Sequence, residues 1–153
     1  MESLKPHKGF LVSLTIFTLF IALAETQSSD TLTAYELLEK FDFPKGILPE
    51  GVQSYLLRKD GSFDVYLGGE CEFKVKGSYL LRYKKKISGQ VKTGSLKNLR
   101  GVRVKILFIW LGIGEVVRRE DELKFYVGPF SATFSVDSFT VSPQCRDGLI
   151  LEA

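Results

Sequence analysis

Histidine is almost missing from this chain of 153 residues: His7 is the only one. It lies in a basic N-terminal stretch with Lys5 and Lys8, ahead of an uncharged apolar run from Phe10 to Ala24. Ala22-Leu23-Ala24 puts small residues at the −3 and −1 positions of a cleavage site, completing the pattern of a cleavable secretory signal. The apolar run is too short for the roughly 20 residues a spanning helix needs, which counts against an uncleaved anchor. Cleavage after Ala24 would remove the histidine. The remaining domain then has no means of Ser-His-Asp or Cys-His chemistry and lacks the commonest zinc ligand, so no catalytic residue, metal or cofactor is expected. Asparagine is equally scarce. Asn98 is followed by Leu99-Arg100, so it forms no N-glycosylation sequon. No second long hydrophobic run occurs, and the C-terminal Gly148–Ala153 is neither a lipidation tail nor an ER-retention signal. Only two cysteines are present, Cys71 and Cys145. In an oxidising compartment an even pair forms one disulfide, and closing so long a loop stabilises a fold by about 4 kcal/mol.

Removing residues 1–24 leaves 129 residues and takes the net charge from +3 to +2. That length makes one domain with a real core. Residues 25–32 are small and polar and read as a flexible leader, with a single domain over 33–146 and a tail over 147–153. Thr33-Ala34-Tyr35-Glu36 fits a capping box, and Tyr35, Leu37, Leu38 and Phe41 form an apolar stripe, which predicts a helix over 34–41. Pro44, Gly46, Pro49 and Gly51 then constrain a loop.

Beyond Gly51 the apolar period becomes two. Ser54–Lys59 and Ser62–Leu67 flank Asp60-Gly61, a strong hairpin signal. Glu70–Lys76 alternates, the phase continues through Tyr79, Leu81 and Tyr83, and Ile87–Lys92 reads as a further strand. Val102–Leu111 reads as one strand, alternating at first and then apolar on both faces, broken by Gly112 and Gly114. Glu115–Arg119 and Glu122–Val127 flank a charged turn. Phe130–Val136 alternates, and its phase slips near Asp137-Ser138 as at a bulge. Eight or nine short strands after one helix predict a mainly β fold, a small antiparallel barrel or sandwich with one short N-terminal helix.

The landmarks come in a recognisable order: Phe43-Pro44-x-Gly46-x-Leu48-Pro49, Cys71, Ile87-Ser88-Gly89, Leu96-x-x-Leu99-x-Gly101-Val102-x-Val104-Lys105, Phe108-x-Trp110-Leu111 and Ser142-Pro143-Gln144-Cys145. This order, over residues 33–146, resembles the plant family known as domain of unknown function 538, which is compared with bactericidal/permeability-increasing lipid-binding proteins. The resemblance implies a compact β-barrel-like domain in a secretory setting and carries over no catalytic residues.

From Lys74 to Lys105 the chain holds eleven basic residues and no acidic one. Lys74, Lys76, Arg82 and Lys84 would share one sheet face, with Lys85, Lys86, Arg103 and Lys105 close by. Such a face recruits polyanions, or else merely keeps edge strands soluble. The doubly apolar run, with Ile106, Phe108 and Trp110, either lies covered on both sides, helix 34–41 being the obvious cover, or holds an apolar ligand. Trp110 and the tyrosines (Tyr55, Tyr66, Tyr79, Tyr83, Tyr126) read as core packing ahead of a sugar platform. Two same-face carboxylate pairs, Glu70 with Glu72 and Glu120 with Glu122, lie near turns, where acidic residues are ordinarily just solvated. The expectation is therefore a non-enzymatic binding domain of the secretory pathway, secreted or in the ER lumen, for an amphipathic or lipid-like anionic ligand. A peripheral membrane contact fits this reading, and nucleic acid is not an expected partner. The alternatives are a binder of acidic cell-wall polysaccharide and a carboxylate-based hydrolase without histidine.

Overall fold

A computed structural model describes residues 31–75 and 79–146. The expected signal segment, most of the leader, the tail 147–153 and Lys76 lie outside the described residues. Helix α1 (Ala34–Lys40) begins where the capping signal predicts, the Glu36 N–H donating to Thr33 Oγ1 at 3.1 Å. Pro44 and the Lys45–Ile47 3₁₀ turn then lead into eight strands: β1 (Val52–Leu57), β2 (Ser62–Leu67), β3 (Cys71–Val75), β4 (Tyr79–Lys92), β5 (Ser95–Ile106), β6 (Ile109–Arg119), β7 (Glu122–Val127) and β8 (Phe130–Ser135). A second 3₁₀ turn, Val136–Phe139, stands where a bulge was expected; Ser135 caps it through the Asp137 N–H.

All eight strands form one antiparallel sheet in the order β1-β2-β4-β5-β6-β7-β8, with β3 also paired to β4. β3 pairs with Tyr79–Tyr83 and β2 with Lys86–Gln90, so both share the β4 edge opposite β5. The two strands expected at 79–84 and 87–92 are therefore one long strand with a corner in it. Between the pairs Tyr83↔Val102 and Ser88↔Arg100, four residues of β4 face only Gly101 of β5. Gly101 (φ +96°) is required there, because a Cβ would come within 2.5 Å of the Lys86 carbonyl oxygen. The corner pushes Lys84, Lys85 and Lys86 out into solvent.

Among the described residues no ladder joins β8 to β1 or β3, so the sheet curls without closing, as a barrel or sandwich description allows. Aromatic side chains bridge the gap: Tyr79 of β4 meets Phe134 of β8 edge to face at 5.9 Å, and Phe134 in turn packs on Phe125 and Phe139. α1 closes one end of the curl. There the Gly94 N–H in the β4–β5 turn donates to the Phe41 carbonyl at 2.8 Å, and Arg118 reaches the Asp42 carbonyl at 3.0 Å. The Val75–Tyr79 pair of β3 and β4 and the β5–β6 and β7–β8 connections all fall at the other end. The Cys71–Cys145 disulfide is formed and ties the segment after the second 3₁₀ turn to β3.

Asp64 is the one buried charged side chain among the described residues, and Arg58 Nη2 donates to its Oδ2 at 2.6 Å. The hydrogen bond and charge of Arg58 hold the Asp64 carboxyl below its ordinary range. A depressed native value means that the stabilisation is complete above the unfolded pKa, about 3.9, and is lost as pH falls through the native value. Asp64→Asn should therefore narrow the gap in urea midpoint between the variant and the parent as pH drops below about 4. A gap that stays constant across that range would show that the carboxylate charge is not what matters.

Candidate functional site

The largest correction to the sequence reading lies at Val102–Leu111. It is not one strand. β5 ends at Ile106, Leu107-Phe108 form a two-residue turn, and β6 starts at Ile109, with Ile106 paired to Ile109. Nor does α1 cover this run, since the helix sits at the opposite end of the sheet. Gly112 and Gly114 do not break a strand either; they belong to β6. The three apolar candidates consequently separate. Ile106 points inward, Phe108 is 91% exposed at the turn, and Trp110 lies half-buried on the outer surface.

Inside the curl is a cavity of about 170 Å³, lined by residues of α1, both 3₁₀ turns and every strand. No charged side chain lines it. Val65, Leu81, Val104, Ile113, Phe125 and Phe134 are representative of its wall. Tyr83 also lines it; its hydroxyl donates to the Ile47 carbonyl, and burial pushes the phenol well above its ordinary value. Tyr55 lines it too and donates to the Leu32 carbonyl. Those two tyrosines are packed as expected. Tyr66 and Tyr126 instead lie half-buried beside lysines, Lys86 Nζ at 5.9 Å from the Tyr66 ring centre and Lys124 Nζ at 5.2 Å from that of Tyr126.

Of the residues expected on a basic face, Lys74, Arg82, Arg103 and Lys105 lie on the outer surface, where register sets their order. One row across the sheet runs Lys74, Leu80, Lys105, Trp110, and the next runs Glu72, Arg82, Arg103, Gly112. The Arg82 guanidinium lies 4.2 Å from the Trp110 ring centre and donates to Glu72 Oε2 at 3.1 and 3.2 Å. Lys105 Nζ stands 5.9 Å from the same ring. Lys84, Lys85 and Lys86 occupy the corner farther along β4, apart from these rows. Basic face and cavity thus lie on opposite sides of the sheet. They approach each other at one rim, where cavity-lining Val75 and Ile106 directly follow Lys74 and Lys105 in sequence and Tyr79 pairs with Val75. Tyr79 lines the cavity and is still 37% exposed, which marks the rim as the place where the interior nears solvent.

Of the carboxylate pairs, Glu72 is engaged by Arg82, and none of Glu70, Glu72, Glu120 and Glu122 lines the cavity. Among the described residues no three His, Cys, Asp or Glu side chains come together as a metal site would need.

Sequence reasoning missed the exposure of Leu107 and Ile109, 85% and 62%, and of Phe130, 57%. A signal was present. Inward apolar residues stand at 102, 104 and 106 and then at 111 and 113, a change of parity that a two-residue turn produces and a continuous strand does not. Leu107 hides it, because it takes φ +57° at the turn position normally given to glycine.

The profile described as "Protein of unknown function, DUF538" matches residues 34–140, from the start of α1 to the end of the second 3₁₀ turn. An uncharacterized protein of Arabidopsis thaliana is 26% identical over 115 residues, covering 74% of this chain. The matched region spans 65% of that relative's own length. With the profile covering most of its length, the chain belongs to the DUF538 family.

Proposed function

We propose that this domain is a non-enzymatic binding module of the secretory pathway for an amphipathic, lipid-like anionic ligand. The observation that carries the reading is the uncharged cavity of about 170 Å³, two of whose lining residues, Val75 and Ile106, directly follow Lys74 and Lys105 in the chain. Its size is close to that of an engineered cavity of about 150 Å³ that stays dry and takes benzene. It is smaller than the roughly 300–1,000 Å³ of sites for drug-sized ligands. The bound apolar part is therefore a ring or a short alkyl segment, with the anionic end held at the rim by the two lysines. The secretory setting rests on the N-terminal sequence pattern and is supported by the disulfide.

The first test is native mass spectrometry of the disulfide-bonded protein purified gently from a secretory host, followed by titration with decanoate and decanol. Decanoate should bind, and more tightly than decanol. Ala132→Phe, which places a ring into the cavity from an outer strand, should weaken decanoate about tenfold or more while leaving the melting temperature level or raised. Equal affinity in parent and variant would remove the cavity from the reading.

A second reading, binding of acidic polysaccharide such as pectin, is favoured by the exposed Lys84-Lys85-Lys86 corner. It requires a salt-sensitive shift on a pectin gel that disappears when these three lysines become glutamate and leaves decanoate binding intact.

A further inference from the structure

Seven large apolar side chains are exposed among the described residues, and five of them, Tyr79, Leu107, Phe108, Ile109 and Phe130, sit at the end of the sheet away from α1. Three of the five are consecutive: Leu107 and Phe108 form the β5–β6 turn and Ile109 opens β6. Leucine at φ +57° is disfavoured there on backbone grounds, and it is disfavoured again by its exposure to water. Both costs would vanish with glycine and a polar neighbour, the usual chemistry of a two-residue hairpin turn. A projecting apolar tip of this kind marks an interaction site.

What surrounds the tip identifies its partner. Immediately behind it on the outer surface stand Lys105 and Trp110, with Lys74 two strands away from Lys105 in the same row and Arg103 in the next row, while Arg82 lies over the Trp110 ring. The apolar tip, then the Trp110–Lys105 pair, then Arg103 thus follow one another along the hairpin, as a bilayer presents hydrocarbon and then its interface with the phosphates. From Trp110 to Phe108 the strand advances about 7 Å, the depth of the boundary between headgroups and acyl chains. Among the described residues no helix is long and apolar enough to cross a membrane.

We infer that the Leu107–Ile109 tip inserts into the surface of an anionic bilayer, with Lys74, Arg103 and Lys105 meeting lipid phosphates and Trp110 at the interface. The inference goes beyond the cavity reading and does not depend on it. Trp110 is the only tryptophan in the chain and serves as the native reporter.

The test uses the disulfide-bonded protein with phosphatidylcholine vesicles, with and without phosphatidylglycerol. Anionic vesicles should pellet the protein and shift Trp110 emission to the blue, and lipids brominated near the headgroup should quench it more than lipids brominated near the chain end. Leu107→Gly with Phe108→Ser should weaken vesicle binding about tenfold or more and at the same time raise the melting temperature, a combination that damage to the fold does not produce. Lys74→Glu with Lys105→Glu should abolish the preference for phosphatidylglycerol. Ala132→Phe should leave vesicle binding unchanged, which separates this site from the cavity. Vesicle binding unaltered by the tip variant, no binding by the parent protein, or full competition by soluble glycerol phosphate would each overturn the inference, the last by showing a headgroup site in place of a bilayer contact.

Discussion

Replacing Cys71 and Cys145 together by alanine is expected to destabilise the domain by about 4 kcal/mol, the entropy of a loop of some 74 residues released into the unfolded chain. The local surroundings point the same way. Cys71 is wholly buried on β3, whereas Cys145 lies in an exposed segment held by few other bonds. The Arg146 N–H donates to the Glu72 carbonyl at 3.0 Å and the Glu50 N–H to the Pro143 carbonyl at 2.9 Å, and both bonds depend on that segment staying in place. Guanidinium denaturation of the parent and the double variant measures the loss directly. A loss below about 1 kcal/mol would mean that the reduced unfolded chain already keeps these ends together. The β5–β6 tip is built on other strands, so vesicle binding by the folded double variant should match that of the parent.

Gly46→Ala is expected to cost at least about 3 kcal/mol, although it adds a single methyl group. A Cβ at this position would lie 2.1 Å from the Phe139 carbonyl oxygen and 2.7 Å from that of Val141, both backbone atoms with no rotamer to yield. The methyl fits only if the two 3₁₀ turns separate. Separation withdraws Phe139 from its contacts with Phe125 and Phe134, the cluster that bridges the open side of the sheet. Gly112→Ala is the control: nothing lies within 4 Å of its Cβ, and its cost should stay within about 0.5 kcal/mol. Thermal unfolding of both variants checks the pair. Because Gly46 and the disulfide fasten the same C-terminal segment, Gly46→Ala should cost less in the cysteine-free background than in the parent. Full additivity would show that the two anchors act independently.

Most of the local structure could be read directly from residue order. The Thr33 N-cap, the Asp60-Gly61 turn, and the alternation at Cys71–Val75 and Phe130–Ser135 each report a periodicity or a side-chain cap complete within a few residues. The cysteine pairing followed from there being only two. The sequence also determined that eleven basic residues fall in one stretch free of acid, which places a basic outer face wherever β4 and β5 run side by side. Beyond those local readings, tertiary structure decided the outcome. Pairing with two different neighbours joined the expected strands at 79–84 and 87–92 into β4, and the Gly101 approach that bends it involves a residue fifteen positions away from Lys86. A run of six apolar residues carries the same hydropathy whether it is a covered strand or a turning hairpin. Only the pairing of Ile106 with Ile109 exposed Leu107 and Phe108 and turned Trp110 under Arg82. The cavity could not be read locally at all, since its wall takes side chains from every strand and its volume depends on how tightly the sheet curls. Periodicity fixes which side of a strand faces inward, but what that side meets is set by contacts between residues far apart in the chain.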